Sequence, residues 1–135
     1  MSSPRVFVVQ RVRHVSYKSG ELEDKHDLRP AEKFGSLVYL LDSLSGRPSL
    51  PSFLFDVGKL SDELYNAQPN SADVLLPMGA PTLIGAATAI FTHLLGGKLR
   101  LLQWDQRRSD YVLMEACTIC TTQGCIGHFD DPRED

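Results

Sequence analysis

Apolar residues occur along the chain in short runs, and their spacing alternates between the pattern of a strand and that of a helix. Arg5–Gln10 is rich in β-branched and aromatic residues, which is typical of a strand. Leu37–Leu41 is a continuous apolar run, typical of a strand that is covered on both faces. The same reasoning predicts short strands over Asp73–Leu76, Lys98–Trp104 and Tyr111–Glu115.

Two longer segments have helical spacing. Ser52–Ala67 forms one apolar stripe, made of Phe53, Leu54, Val57, Leu60 and Leu64. The second helix begins at Pro81, and its apolar side holds Leu83, Ile84, Ala87, Ile90, Phe91, Leu94 and Leu95. Its opposite side has small residues and no charges, namely Thr82, Gly85, Ala89, Thr92 and His93.

Polar segments connect these elements. Residues 11–26 predict a ragged hairpin or a loop carrying Gly20, and Asp27–Gly35 predicts one short helical turn that opens at Pro30. Strands that alternate with helices favour a mostly parallel sheet. We therefore expect an α/β fold with a small, mostly parallel sheet, two main helices and a C-terminal antiparallel hairpin. Residues 1–115 form the predicted single domain, and residues 116–135 form a Cys-rich and then acidic tail that we expect to be disordered.

Composition narrows the class of protein. The 135 residues are 42% hydrophobic and 23% charged, with a net charge of −3, as expected for one globular domain and not for a basic nucleic-acid-binding protein. Residues 74–97 contain no Asp, Glu, Lys or Arg, but Pro77, Gly79 and Pro81 interrupt them, so a buried helix is favoured over a membrane span. The N-terminus lacks the pattern of a secretory signal, and we expect a cytoplasmic protein.

The turn before the second helix is the first candidate site. Gly79 allows a tight turn, and Pro81 suits the first helical position. Helix N-termini at the carboxyl ends of parallel strands favour anions such as phosphate. The candidate ligand-binding residues are Gly79, Pro81, Thr82 and Gly85. Neither a GxGxxG sequence nor a P-loop lysine is present, so a well-capped core helix stays open as the alternative.

The tail is the second candidate site. Cys117, Cys120, Cys125 and His128 provide the ligand types that zinc prefers, and clustered cysteines in a cytoplasmic protein favour metal over disulfide. Their spacing fits no standard zinc motif, so a thiol-bearing extension without metal is the alternative.

Two surfaces are candidates for interaction. The side of the second helix that has small residues includes Ala89 and Thr92. We expect it to pack against another part of this domain or against a second subunit. Trp104, Arg107 and Arg108 make an aromatic and basic patch at the predicted hairpin, although an ordinary solvated turn is the favoured explanation of the arginines. His14, His26 and His93 are scattered and indicate no catalytic set.

Four segments carry a resemblance to a known group. Arg5–Gln10, Asp27–Leu41, Val74–Ile90 and Leu101–Gln106 together resemble small proteins of tailed bacteriophages. In that group a Gly-x-Pro-x-x-Ile-Gly stretch follows a strand and a Leu-x-Trp-Asp strand comes later; the counterparts here are Gly79, Pro81, Ile84, Gly85, Leu102 and Trp104. Ala80 stands where the group has a polar residue, and the cysteine tail lies outside the pattern.

The resemblance implies a viral accessory protein in a bacterial cytoplasm and supplies no catalytic residue. The leading hypothesis is a non-enzymatic protein that binds a host or viral protein, or a second copy of itself. One alternative is a nucleotide- or phosphate-ligand-binding protein with its site at residues 79–85. Another is a zinc-bearing module associated with nucleic acid.

Overall fold

The computed structural model describes residues 3–121 and 124–125. Its elements follow the chain as β1 (Arg5–Gln10), β2 (Arg13–Val15), β3 (Leu22–Asp24), a 3-10 helix (Arg29–Phe34), β4 (Ser36–Leu41), α1 (Leu50–Ala67), β5 (Val74–Leu76), α2 (Pro81–Leu94), β6 (Lys98–Asp105), β7 (Asp110–Cys117), β8 (Cys120–Thr121) and β9 (Gly124–Cys125).

The main sheet has the strand order β4-β1-β5-β6-β7. Its first four strands are parallel, and β7 runs antiparallel to β6. Phe7 pairs with Val38 on one side and with Leu75 on the other, and Leu75 pairs in turn with Leu101. The predicted α/β fold, with a mostly parallel sheet, two main helices and a C-terminal antiparallel hairpin, is confirmed.

Each face of the sheet has its own apolar core. On one face α1 and α2 cover a cluster formed by Phe7, Val9, Leu40, Leu41, Leu60, Leu64, Leu75, Leu83, Ala87 and Phe91. On the other face the segment around the 3-10 helix covers Val6, Val8, Leu28, Ala31, Val74, Leu76, Leu102 and Tyr111. Since successive strand residues face opposite sides, the central strands contribute to both cores.

A buried carboxylate joins the starts of the central strands. Asp73 is fully buried just before β5, and its carboxylate accepts hydrogen bonds from the Arg5 backbone N–H (2.9 Å) and the Arg5 guanidinium (2.8 Å). It also accepts from the backbone N–H of Asn70, while the Asp73 carbonyl accepts from Arg100 Nε at 3.0 Å. This network fixes β1, β5 and β6 to one another at the amino edge of the sheet.

The first long helix, α1, differs from prediction at two points. α1 begins at Leu50, two residues early, because the Ser49 hydroxyl accepts from the backbone N–H of Ser52 at 3.2 Å and caps the helix. Leu54 was expected in the apolar stripe but is 59% exposed, whereas Asp56 is buried. Leu54 lies about 100° around the helix from Phe53, away from the face that packs on the sheet.

The segment over residues 11–26 forms the antiparallel hairpin β2–β3, with Gly20 in its turn at φ 72°. Near the C-terminus, β7 continues through Cys117, past the predicted domain boundary at residue 115, and β8 pairs with β9. The acidic end of the predicted tail lies outside the described residues. Within the described part of the chain, no helix is long and apolar enough to cross a membrane.

Candidate functional site

A cleft of about 1040 Å³ opens at the carboxyl edge of the sheet, above the end of β5. It exists because β5 stops at Leu76, while β1 continues to Gln10 and β6 continues to Asp105. The chain leaves β1 toward the face of the 3-10 helix and leaves β5 toward the face of α1 and α2. Parallel sheets bind ligands where consecutive connections diverge in this way.

The turn at the base of the cleft, residues 77–80, is held by Gln10. The Gln10 backbone N–H donates to the carbonyl of Met78 at 3.0 Å, and the Gln10 side-chain oxygen accepts from the backbone N–H of Ala80 at 2.9 Å. Gly79 has φ 117°, and a Cβ atom there would lie 2.5 Å from the Cβ of Gln10. The turn therefore requires glycine at position 79 both for its backbone and for its contact with β1.

Most of the cleft wall is apolar and aromatic. Trp104 is 41% exposed, and its ring meets the ring of the nearly buried Tyr111 edge to face, with 5.0 Å between the centroids. The other apolar lining residues are Val12, Leu44, Leu76, Pro77, Met78, Ala80, Ile84, Leu101, Leu102 and Met114. Burial raises the pKa of the Tyr111 phenol, and the nearby Asp27 carboxylate adds to that shift. Tyr111 is therefore a neutral wall of the cleft at physiological pH.

Polar side chains lie at the rim. Gln103 comes from β6, while Lys25, His26 and Asp27 follow the β2–β3 hairpin. The Asp27 carboxylate is paired with the Arg29 guanidinium at 2.8 Å, and this hydrogen-bonded pair lowers the Asp27 pKa to about 2. Lys25 and His26 are exposed. The rim thus offers hydrogen-bond donors and one cation to a molecule that enters the cleft.

The predicted ligand-binding residues do not lie together. Gly79 lines the cleft, whereas Thr82 lines a smaller cavity behind Leu44, and Gly85 lines a groove along α2. Pro81 is exposed as the first residue of α2. The amides of the turn are largely used within the protein: Ala80 donates to Gln10, and Leu83 and Ile84 both donate to the Ala80 carbonyl. An anion at this helix N-terminus would therefore find few backbone donors.

The two predicted interaction surfaces are on opposite faces of the sheet. Ala89 and Thr92 line the α2 groove, which has a volume of about 680 Å³ and includes Leu99 of β6. Trp104 is five residues after Leu99 in the same strand, so its side chain points to the other face. Arg107 and Arg108 are exposed in the hairpin turn, where both of their backbone N–H groups donate to Asp105.

The candidate metal ligands are only partly described. Cys120 forms a disulfide, and its register partner across the β8–β9 pair is Cys125. A disulfide sulfur is not a thiolate ligand, so zinc binding by this set requires reduction first. His128 lies outside the described residues, and no His, Cys, Asp or Glu cluster suited to a metal ion occurs within them. The zinc hypothesis stays a prediction.

Sequence reasoning missed the residues that build the cleft. Gln10 was assigned to a strand without a role, and its contact with Ala80 joins residues 70 positions apart. His26 was considered only as a scattered histidine. The length difference between β5 and its neighbours was the available signal, because a short strand between longer ones leaves a notch.

The chain is similar to a known protein family. A family model described as Phage Pam3 gp32-like protein matches residues 4–117, which includes every strand of the main sheet and both long helices. No curated protein and no solved structure matches the chain.

Proposed function

The chain belongs to the Phage Pam3 gp32-like protein family, and we propose that it is a phage-encoded binding protein for a small ligand with a flat ring. The observation that supports this most directly is the cleft at the carboxyl edge of β5, with Trp104 exposed inside it. A flat ring buries apolar area against an indole and also gains from ring-to-ring contact.

The polar rim narrows the ligand class. Gln103, His26 and Lys25 provide donors around an otherwise apolar wall, which suits a ring that carries carbonyl or ring-nitrogen acceptors. A nucleobase has this chemistry. Lys25 also offers a charge to a phosphate on the same ligand, although the backbone amides of Ala80, Leu83 and Ile84 at this helix start are already used within the protein.

Trp104 makes the test direct because it is the only tryptophan in the chain. We expect nucleosides and their 5′-monophosphates to change its fluorescence in a saturable way. Trp104→Leu should remove binding measured by calorimetry, whereas Phe55→Leu, at an exposed aromatic residue on α1, should leave it unchanged. Binding that is absent for the whole panel, or that survives Trp104→Leu, would contradict the proposal. Chromatography of the same mixtures detects any turnover, which would make the protein an enzyme.

A second proposal concerns the α2 groove, with a second copy of the chain as the occupant. Its support is the Thr92 hydroxyl, which is buried without a hydrogen-bond partner among the described residues, beside the exposed and uncharged Gly85 and Ala89. Native mass spectrometry should then show a dimer that Ala89→Arg converts to monomer. A wild-type protein that is monomeric at all concentrations measured would exclude this proposal.

A further inference from the structure

A second cavity, of about 370 Å³, lies between the loop over residues 42–49, the first turns of α1 and the start of α2. Phe53 and Leu83 provide apolar walls, and Ser52 and Thr82 bring hydroxyl groups. Leu44 and Ala80 line both this cavity and the larger cleft, so the two spaces are neighbours that share a wall. A volume of this size accommodates a small organic group.

The unusual residue on the wall is Asp56. Asp56 is the seventh residue of α1, and it is only 3% exposed. Asp56 Oδ2 accepts a hydrogen bond from the backbone N–H of Ser45 at 3.3 Å, which is a long bond for a carboxylate. Among the described residues no lysine, arginine or histidine forms an ion pair with it. Burial of a carboxylate without a cation is unfavourable, and a ligand cation would supply the missing charge.

A cationic side chain that lines the same cavity does not fill this role. Arg47 also lines the cavity, but it is exposed and makes no ion pair with Asp56 in the described structure. The other polar lining groups near Asp56 are hydroxyls, which can accept a hydrogen bond from a cation as readily as they donate one. The cavity therefore combines a buried acidic side chain, hydroxyl acceptors and apolar walls.

We propose that this cavity binds a protonated amine carried on a small apolar body. The ammonium group donates to the Asp56 carboxylate and to the Ser52 and Thr82 hydroxyls, while the apolar body packs between Phe53 and Leu83. A charge-assisted hydrogen bond is stronger than one between neutral groups, which gives selectivity for the amine over an alcohol of the same shape. This inference does not rest on the function proposed for the larger cleft.

Benzylamine is a suitable probe, and benzyl alcohol is its neutral counterpart. In a titration followed by amide NMR of the full chain, benzylamine should shift the Ser45, Asp56 and Thr82 signals in a saturable way, and benzyl alcohol should bind at least about tenfold more weakly. Equal affinity for the two probes, or benzylamine shifts confined to the cleft around Trp104, would overturn the proposal.

Two variants and one control complete the test. Asp56→Asn should weaken benzylamine binding at least about tenfold, and Asp62→Asn, on an exposed position of the same helix, should not change it. Thr82→Phe fills the cavity from an exposed position and should abolish binding even if Asp56→Asn does not fold. Benzylamine binding that is retained in either Asp56→Asn or Thr82→Phe contradicts the proposal. Nucleosides test binding in the cleft at Trp104, and benzylamine tests binding in the cavity at Asp56. A negative result with one probe therefore leaves the proposal for the other site unaffected.

Discussion

The side-chain oxygen of Gln10, at the end of β1, accepts the backbone N–H of Ala80, at the start of α2, with 2.9 Å between the two atoms. This hydrogen bond sets the position of the turn that forms the base of the cleft. It also occupies an amide that a phosphate would otherwise use. One side chain thus positions the turn and also removes a backbone donor from the cleft.

Gln10→Ala should lower the free energy of unfolding by about 1 kcal/mol, because the Ala80 amide loses its partner. Urea unfolding measures this. Gln106→Ala, in the exposed hairpin turn, is the control and should change stability by less than about 0.5 kcal/mol. Equal effects in the two variants would mean that the bond to Ala80 contributes nothing to stability.

Gly79→Ala should destabilise the protein by about 2 kcal/mol or more, since φ is 117° and the new Cβ would meet Gln10 at 2.5 Å. Gly58→Ala provides the contrast, because nothing lies within 4 Å of its added Cβ in the middle of α1. That variant should gain about 0.5 to 1 kcal/mol from helix propensity. Thermal unfolding of both variants tests the pair, and a stable Gly79→Ala protein would show that the turn does not need glycine.

Thr92→Val should leave stability unchanged or raise it by up to about 1 kcal/mol, because the hydroxyl that it removes is buried without a partner among the described residues. Thr88→Val removes a hydroxyl that donates to the Ile84 carbonyl at 2.7 Å and should lower stability by about 0.5 kcal/mol. Urea unfolding shows which of the two variants is less stable. If Thr92→Val is the more destabilising change, the hydroxyl has a partner, and native mass spectrometry then asks whether that partner is a second chain.

We expect Asp27 to stabilise the folded protein at neutral pH and to lose this effect at strongly acidic pH. The Arg29 pair lowers the Asp27 pKa from 3.8 to about 2, so folding favours the charged carboxylate. The stabilisation is present above pH 4 and is lost as pH falls from about 4 to about 2. Urea midpoints of Asp27→Asn should lie below wild type at pH 6 and converge with it near pH 2. The difference in urea midpoint between the control Asp62→Asn and wild type should not change with pH in this way. A difference between Asp27→Asn and wild type that stays constant at every pH would contradict the ion-pair explanation.

The sheet and its helices could be predicted because their signals are local. Spacing located α2 and the β6–β7 hairpin, and strand–helix alternation gave the parallel sheet. The cleft could not be predicted, because it depends on contacts such as Gln10 with Ala80 that join distant parts of the chain. Thr82 and Gly85 lie close to Gly79 in sequence, but the helix rotation carries them to other cavities. Asp56 was hidden for the opposite reason, since an acidic residue inside an amphipathic helix is normally solvated.

The Asp73 network limits where this fold can change. Arg5, Asp73 and Arg100 lock the strand register from the amino edge, at the opposite end of the strands from the cleft. Removing one partner of a buried pair of this kind costs several kcal/mol, so the register is strongly fixed there. The loops at the carboxyl edge lie at the far end of the strands from this network. Loops at that edge can therefore be replaced while the Asp73 network is kept, which makes the domain a practical scaffold for engineering new binding specificities.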